Sequence, residues 1–160
     1  MKKIKHLLIV TLLTIVGLQS YAHCEIPCGI YDDELRIALL YEHFTTIEKS
    51  IKSIKELKDS DDVNQQVRWV MNKEEHAKKV QDIVSQYFLH QRIKAVDADD
   101  EKFEKYQKEL TLLHHISVYA MKTKQTTDLS FIEKLRSTLK EFENSYFEGK
   151  HRHHADDSHK

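Results

Sequence analysis

Two cysteines, one proline and three glycines are all that 160 residues contain of these three types. A β-sandwich or barrel needs a turn about every eight to twelve residues, and turns draw on Gly and Pro, so their scarcity excludes those folds and points to long helices. A dominant charge is missing as well: 25 Lys and Arg face 26 Asp and Glu, a formal net charge of -1, which disfavours a polyanion such as nucleic acid as the principal partner. Apolar residues make up 40% and charged residues 32%, the balance of one soluble domain.

A long hydrophobic run is also absent. Leu7 to Leu18, broken only by Thr and Gly17, is an apolar stretch of about a dozen residues, short of the roughly 20 that span a bilayer. Lys2, Lys3 and Lys5 precede it, and Ser20-Tyr21-Ala22 follows with small residues where a signal peptidase reads them. The expectation is a signal peptide over 1–22, cleaved after Ala22, and a product free of the membrane in the periplasm or outside the cell. Removing the three lysines leaves 22 basic against 26 acidic residues, a mature net charge of -4.

What is present is helical periodicity, in four segments. The first runs from about Asp33 to Lys58 with Leu35, Leu39, Phe44, Ile47, Ile51, Ile54 and Leu57 as its stripe. The second runs from Asp62 to Lys94 with Val63, Val67, Val70, Ala77, Val80, Val84 and Phe88. The third opens in the acidic cluster Asp97 to Glu101, suited to a helix N-terminus, and carries Phe103, Tyr106, Leu110, Leu113 and Ala120. The fourth opens with Ser130-Phe131-Ile132-Glu133, a capping-box pattern, and carries Leu135, Leu139, Phe142 and Tyr146. Short polar connections between amphipathic segments predict an all-α fold, an up-and-down four-helix bundle over 23–150 with an N-terminal hook. His43, His76, His90, His114 and His115 form no Glu-x-x-His pair and read as surface or satisfied core residues. The tail 151–160 holds four His and two Asp with nothing to bury, which predicts disorder and loose metal affinity at most.

The chemistry concentrates in His23-Cys24-Glu25-Ile26-Pro27-Cys28-Gly29-Ile30-Tyr31-Asp32, which holds the one Pro and both Cys. In an oxidising compartment two cysteines ordinarily form a disulfide. Cleavage before His23, however, creates an amine beside an imidazole, followed at once by a thiol, with a second thiol returning through a Pro-containing turn. Amine, the deprotonated Cys24 amide and the thiolates of Cys24 and Cys28 form fused chelate rings in one plane, a geometry that favours Ni(II) or Cu(II) over tetrahedral Zn(II). The His23 imidazole remains available as an axial ligand. Thiolate and amidate donors stabilise a higher oxidation state, so a one-electron Ni(II)/Ni(III) site with one metal per chain is expected.

His-Cys-x-x-Pro-Cys-Gly-x-Tyr-Asp ahead of a four-helix bundle resembles the nickel-containing superoxide dismutase family over nearly all of the chain from His23 to about Lys150. The resemblance implies disproportionation of superoxide, a homohexamer that holds each hook against its neighbours, and a cis Ile26-Pro27 bond. It implies that Tyr31 and Tyr87 gate the substrate site and order water or protons, and that Arg68 lies near the axial imidazole. The family's Arg-Ile-Glu reads Arg36-Ile37-Ala38 here, so a Glu that helps to orient the imidazole is missing, and Glu42, one turn on, is its candidate replacement. The secretion signal in place of a short propeptide, and the His-rich tail, also depart from the family pattern. Two other readings use the same residues: a secreted nickel or copper chaperone without turnover, and a disulfide-bonded helical protein that sequesters metal through its tail.

Overall fold

The computed structural model describes residues 27–148. The expected signal peptide, His23, Cys24, the Ile26-Pro27 bond and the tail 151–160 lie outside the described residues.

Helix α1 spans Asp33–Glu56. Asp32 caps it, its carboxylate accepting from the Leu35 amide at 2.9 Å, and Asp33 and Glu34 put negative charge against the positive end of the helix dipole. Ile37, Leu40, Phe44, Ile47 and Ile51 are buried at alternating spacings of three and four, which defines a single inward stripe. This corrects the stripe expected at the helix start: Leu35 is 48% exposed, and Ile37 and Leu40 take the inward places. The segment carries apolar residues at 35, 37, 39 and 40, so two registers compete there, and only continuation to Phe44 and Ile47 selects one.

Helix α2 spans Val63–Asp82, capped by Asp62, whose carboxylate accepts from the Gln65 amide at 3.1 Å. Its winding then changes to a π-helix over Ile83–Arg92. The run ends at the i→i+5 bond from the Ile93 amide to the Phe88 carbonyl at 2.8 Å. Ala77, Val80, Val84, Tyr87 and Phe88 enter the core. Val63, Val67 and Val70, expected on the same stripe, are instead exposed, at 63%, 49% and 41%. The first turns of α2 therefore present an apolar face outward.

Helix α3 spans Phe103–Gln125 and α4 spans Ser130–Tyr146. The acidic cluster before α3 forms turns rather than the first helical turn. The Asp100 carboxylate takes the Lys102 amide at 2.8 Å, one of the local bonds by which Asp competes with helix. The expected capping box of α4 is also not made. Leu129 is the N-cap residue, and Ser130 donates its amide and its hydroxyl to the Asp128 carboxylate, both at 2.9 Å.

Each helix packs on its chain neighbours and α4 closes on α1, which is the up-and-down bundle. Leu113, Ile116 and Ala120 of α3 and Leu135, Leu139 and Phe142 of α4 complete the core. Lys73 is buried between α2 and α3, where its ammonium donates to the Thr123 carbonyl at 2.7 Å and to the Lys124 carbonyl, so a cation of one helix satisfies the carbonyl end of another. Among the described residues no helix is long and apolar enough to cross a membrane.

Candidate metal centre

The chain reaches α1 through a turn in which the Ile30 amide donates to the Pro27 carbonyl at 2.8 Å. Gly29 has φ +80°, the value required at the third position of a type II turn and one that side chains with a Cβ rarely adopt. Among the described residues nothing lies within 4 Å of where a Cβ on Gly29 would be, and Cys28 beside it is exposed. A thiol on an exposed turn fits a thiolate-bound metal, because the soft donor is accessible. Among the described residues no three His, Cys, Asp or Glu side chains converge as a metal site. Cys28 is the described member of the expected ligand set. His23 and Cys24, the other members of that set, lie outside the described residues.

Tyr31, three residues past Cys28, sets its ring edge against Tyr87 with centroids 5.9 Å apart. From Tyr87 the ring contacts continue to Phe88 and on to Phe142, at 5.1 Å each, which ties the mouth of the site to the bundle core. The structure thus brings together Cys28's turn, Tyr31 and Tyr87.

It does not bring Arg68 to them. Arg68 is exposed on α2, 19 residues before Tyr87, which is roughly 25 to 30 Å along the helix at about 1.5 Å per residue. Because α1 and α2 are antiparallel, the start of α1 meets the end of α2, so Arg68 lies away from Tyr31 and Tyr87, while its expected neighbour, the His23 imidazole, lies outside the described residues. Glu42 is likewise on an exposed face about 13 Å along α1 from Asp33, next to His43 and His76 rather than the tyrosines. The His23 imidazole that it would orient in place of the carboxylate missing at Ala38 lies outside the described residues.

Two other arginines and a different carboxylate occupy the site. The guanidinium of Arg92 lies 4.4 Å from the centre of the Tyr31 ring, and that of Arg36 lies 5.0 Å from the centre of the Tyr87 ring. Arg36 Nε is buried without a hydrogen-bond partner. Asp33 takes the Tyr87 hydroxyl at 2.7 Å, the Tyr146 hydroxyl at 2.9 Å and two guanidinium bonds from Arg92 at 2.7 and 2.6 Å. Burial works to raise the Asp33 pKa, but the bonds from Arg92, Tyr87 and Tyr146 outweigh it and hold the carboxyl below its usual range. Burial first, and then the Asp33 charge, raise both phenols, Tyr146 to about 12, so each keeps its proton. Arg36 and Arg92 thus set two guanidinium groups at the mouth, beside the Asp32, Asp33 and Glu34 carboxylates of the α1 start.

The signal that could have found Arg92 is its spacing from Tyr87. In an α-helix, residues five apart diverge by about 140°, but π winding, at about 4.4 residues per turn, brings them within about 50°. Nothing in the hydrophobic pattern announces that change of winding.

A helical bundle with a thiol on an exposed turn and an aromatic mouth flanked by two guanidinium groups fits a metalloenzyme acting on a small anion. The model of the family "nickel-containing superoxide dismutase" matches residues 18–150, and the chain belongs to that family. It is therefore an oxidoreductase with superoxide as substrate and nickel as cofactor. No curated protein and no solved structure gives a significant match.

Proposed function

We propose that the mature chain, exported and cut before His23, holds one nickel through the His23 amine and imidazole, the Cys24 amide and thiolate, and the Cys28 thiolate. The observation that supports this reading is that Tyr31, three residues past the exposed Cys28, packs its ring edge on Tyr87. Bound there, nickel supplies the one-electron Ni(II)/Ni(III) couple by which two superoxide ions and two protons become dioxygen and hydrogen peroxide. The chain's own residues do the rest. Arg36 and Arg92 draw the anion to the mouth, the Tyr87 ring walls one side, and the Tyr31 hydroxyl orders the water that delivers protons. A homohexamer is supported by the outward apolar face of Val63, Val67, Val70 and Met71 on α2. Export to the periplasm or the exterior is supported by the basic, apolar and small-residue pattern of 1–22.

The test is intact mass of the secreted protein together with metal analysis and superoxide turnover. A mass beginning at His23, one nickel per chain and rapid turnover are expected. Nickel binding without turnover would give the chaperone reading, and a Cys24–Cys28 disulfide without nickel would give the sequestration reading.

A further inference from the structure

Four donors converge on Asp33, and the helix terminus does not need them, because Asp32 already caps α1. Oδ1 accepts from the Tyr87 hydroxyl and Arg92 Nε, and Oδ2 accepts from Arg92 Nη2 and the Tyr146 hydroxyl. The paired bonds to Arg92 fix the plane of its guanidinium as one bond could not. That plane is the surface against which the Tyr31 ring rests, at 4.4 Å. Tyr31 is 39% exposed, and its hydroxyl makes no hydrogen bond among the described residues. The two phenols at the mouth are therefore unlike. Tyr87 donates its hydroxyl to Asp33, whereas Tyr31 is held through its ring, against Tyr87 and Arg92, and is partly exposed.

We propose that Asp33 is a positioning residue of the dismutation site: through Arg92 it pins Tyr31 and the Cys28 turn to the bundle, and by accepting the hydrogen bond of the Tyr87 hydroxyl it leaves Tyr31 as the phenol that meets substrate and water. The inference rests on the function proposed above. It assigns to Arg92 a geometric duty beyond its charge, and it gives the π-helix a reason, since that winding turns Tyr87 and Arg92 toward the one carboxylate that they share.

The test compares nickel-loaded wild type with Asp33→Asn and Arg92→Lys. Arg92→Lys keeps the charge but cannot form the paired bonds. Each variant should lose about tenfold or more in kcat/KM for superoxide, the size of effect typical of outer supports at metal sites, with nickel content unchanged. Independently of turnover, absorbance titration of the metal-free proteins should show phenols that ionise late in wild type and earlier in Asp33→Asn. Wild-type kcat/KM in Arg92→Lys would reduce Arg92 to a charge and overturn the clamp. A lowered melting temperature with wild-type kcat/KM in Asp33→Asn would make Asp33 merely structural. Should Asp33→Asn fail to fold, Arg92→Lys decides alone. A wild type without turnover overturns the proposed function itself, and this role with it; an active wild type with equally active variants overturns this inference only.

Discussion

His43 on α1 and His76 on α2 face each other ring to ring, with their Nδ1 atoms 3.1 Å apart. Two such nitrogens at hydrogen-bond distance require one to donate and the other to accept, so the pair is stable when neutral and strained when both rings are protonated. Burial first, then His76 and Lys79, depress the pKa of His43; burial and Lys79 depress that of His76.

The sign of the pH dependence follows. A base with a depressed pKa binds fewer protons folded than unfolded, so its stabilisation is complete above the unfolded value of about 6.5 and declines as pH falls below it. The depressed Asp33 carboxyl acts in a separate window, its stabilisation present above about 3.9 and lost at lower pH. The urea midpoint should therefore fall between about pH 7 and 5, and again below about pH 4. In His43→Gln the upper slope should flatten while the lower one remains; an unchanged upper slope would remove the pair as its cause.

Lys73→Met tests the cross-helix cap. The apolar stem is kept, but the carbonyls of Thr123 and Lys124 lose a charged donor in a buried place. A loss of about 1.5 to 3 kcal/mol in urea unfolding is expected. Faster amide exchange should be confined to the last turn of α3, and a loss under about 0.5 kcal/mol would mean that water replaces the ammonium.

Cys28→Ser should abolish dismutation and leave the far-ultraviolet helical signal intact, because Cys28 is exposed on a turn ahead of α1 and packs into no part of the core. A serine hydroxyl is a harder and far less acidic donor than a thiol and does not hold nickel in the same way. Wild-type turnover in this variant would exclude the Cys28 thiolate as a ligand.

The helices were readable because a stripe of Leu, Ile and Phe at helical spacing has few other ways to be buried, and the chain offers few turns. Register was readable only where one set of apolar residues stood alone, as at Phe44 and Ile47, and not at Leu35 against Ile37. The outward valines of α2 are indistinguishable in sequence from inward ones, since periodicity gives a face but not its neighbour. The site divides in the same way. Tyr31 and Tyr87 were legible through a motif, but the Asp33 and Arg92 pair depends on a local change of winding and on a contact between chain positions 59 apart. Arg68 shows the converse, a residue of the right type whose distance along a rigid helix keeps it from the mouth of its own chain.

Inserting one Gly between Ala22 and His23 tests the link between export and chemistry. Cleavage after Ala22 would then yield Gly-His-Cys, with the primary amine one residue further from the thiols. On the proposed ligand set, the His23 nitrogen would become an amide that must lose a proton to bind, the donor set would gain negative charge, and the imidazole would no longer sit on the residue that carries the primary amine. No core residue moves, so melting temperature and helical content should match wild type. Nickel should bind weakly or with an altered spectrum, and superoxide turnover should drop to near background. A disulfide-bonded or tail-sequestering protein would not register the extra residue. A variant as nickel-rich and as active as wild type would therefore reject the N-terminal amine as a ligand, while loss of turnover with nickel retained would show that the position of the imidazole, rather than metal capture, is what the cleavage site sets.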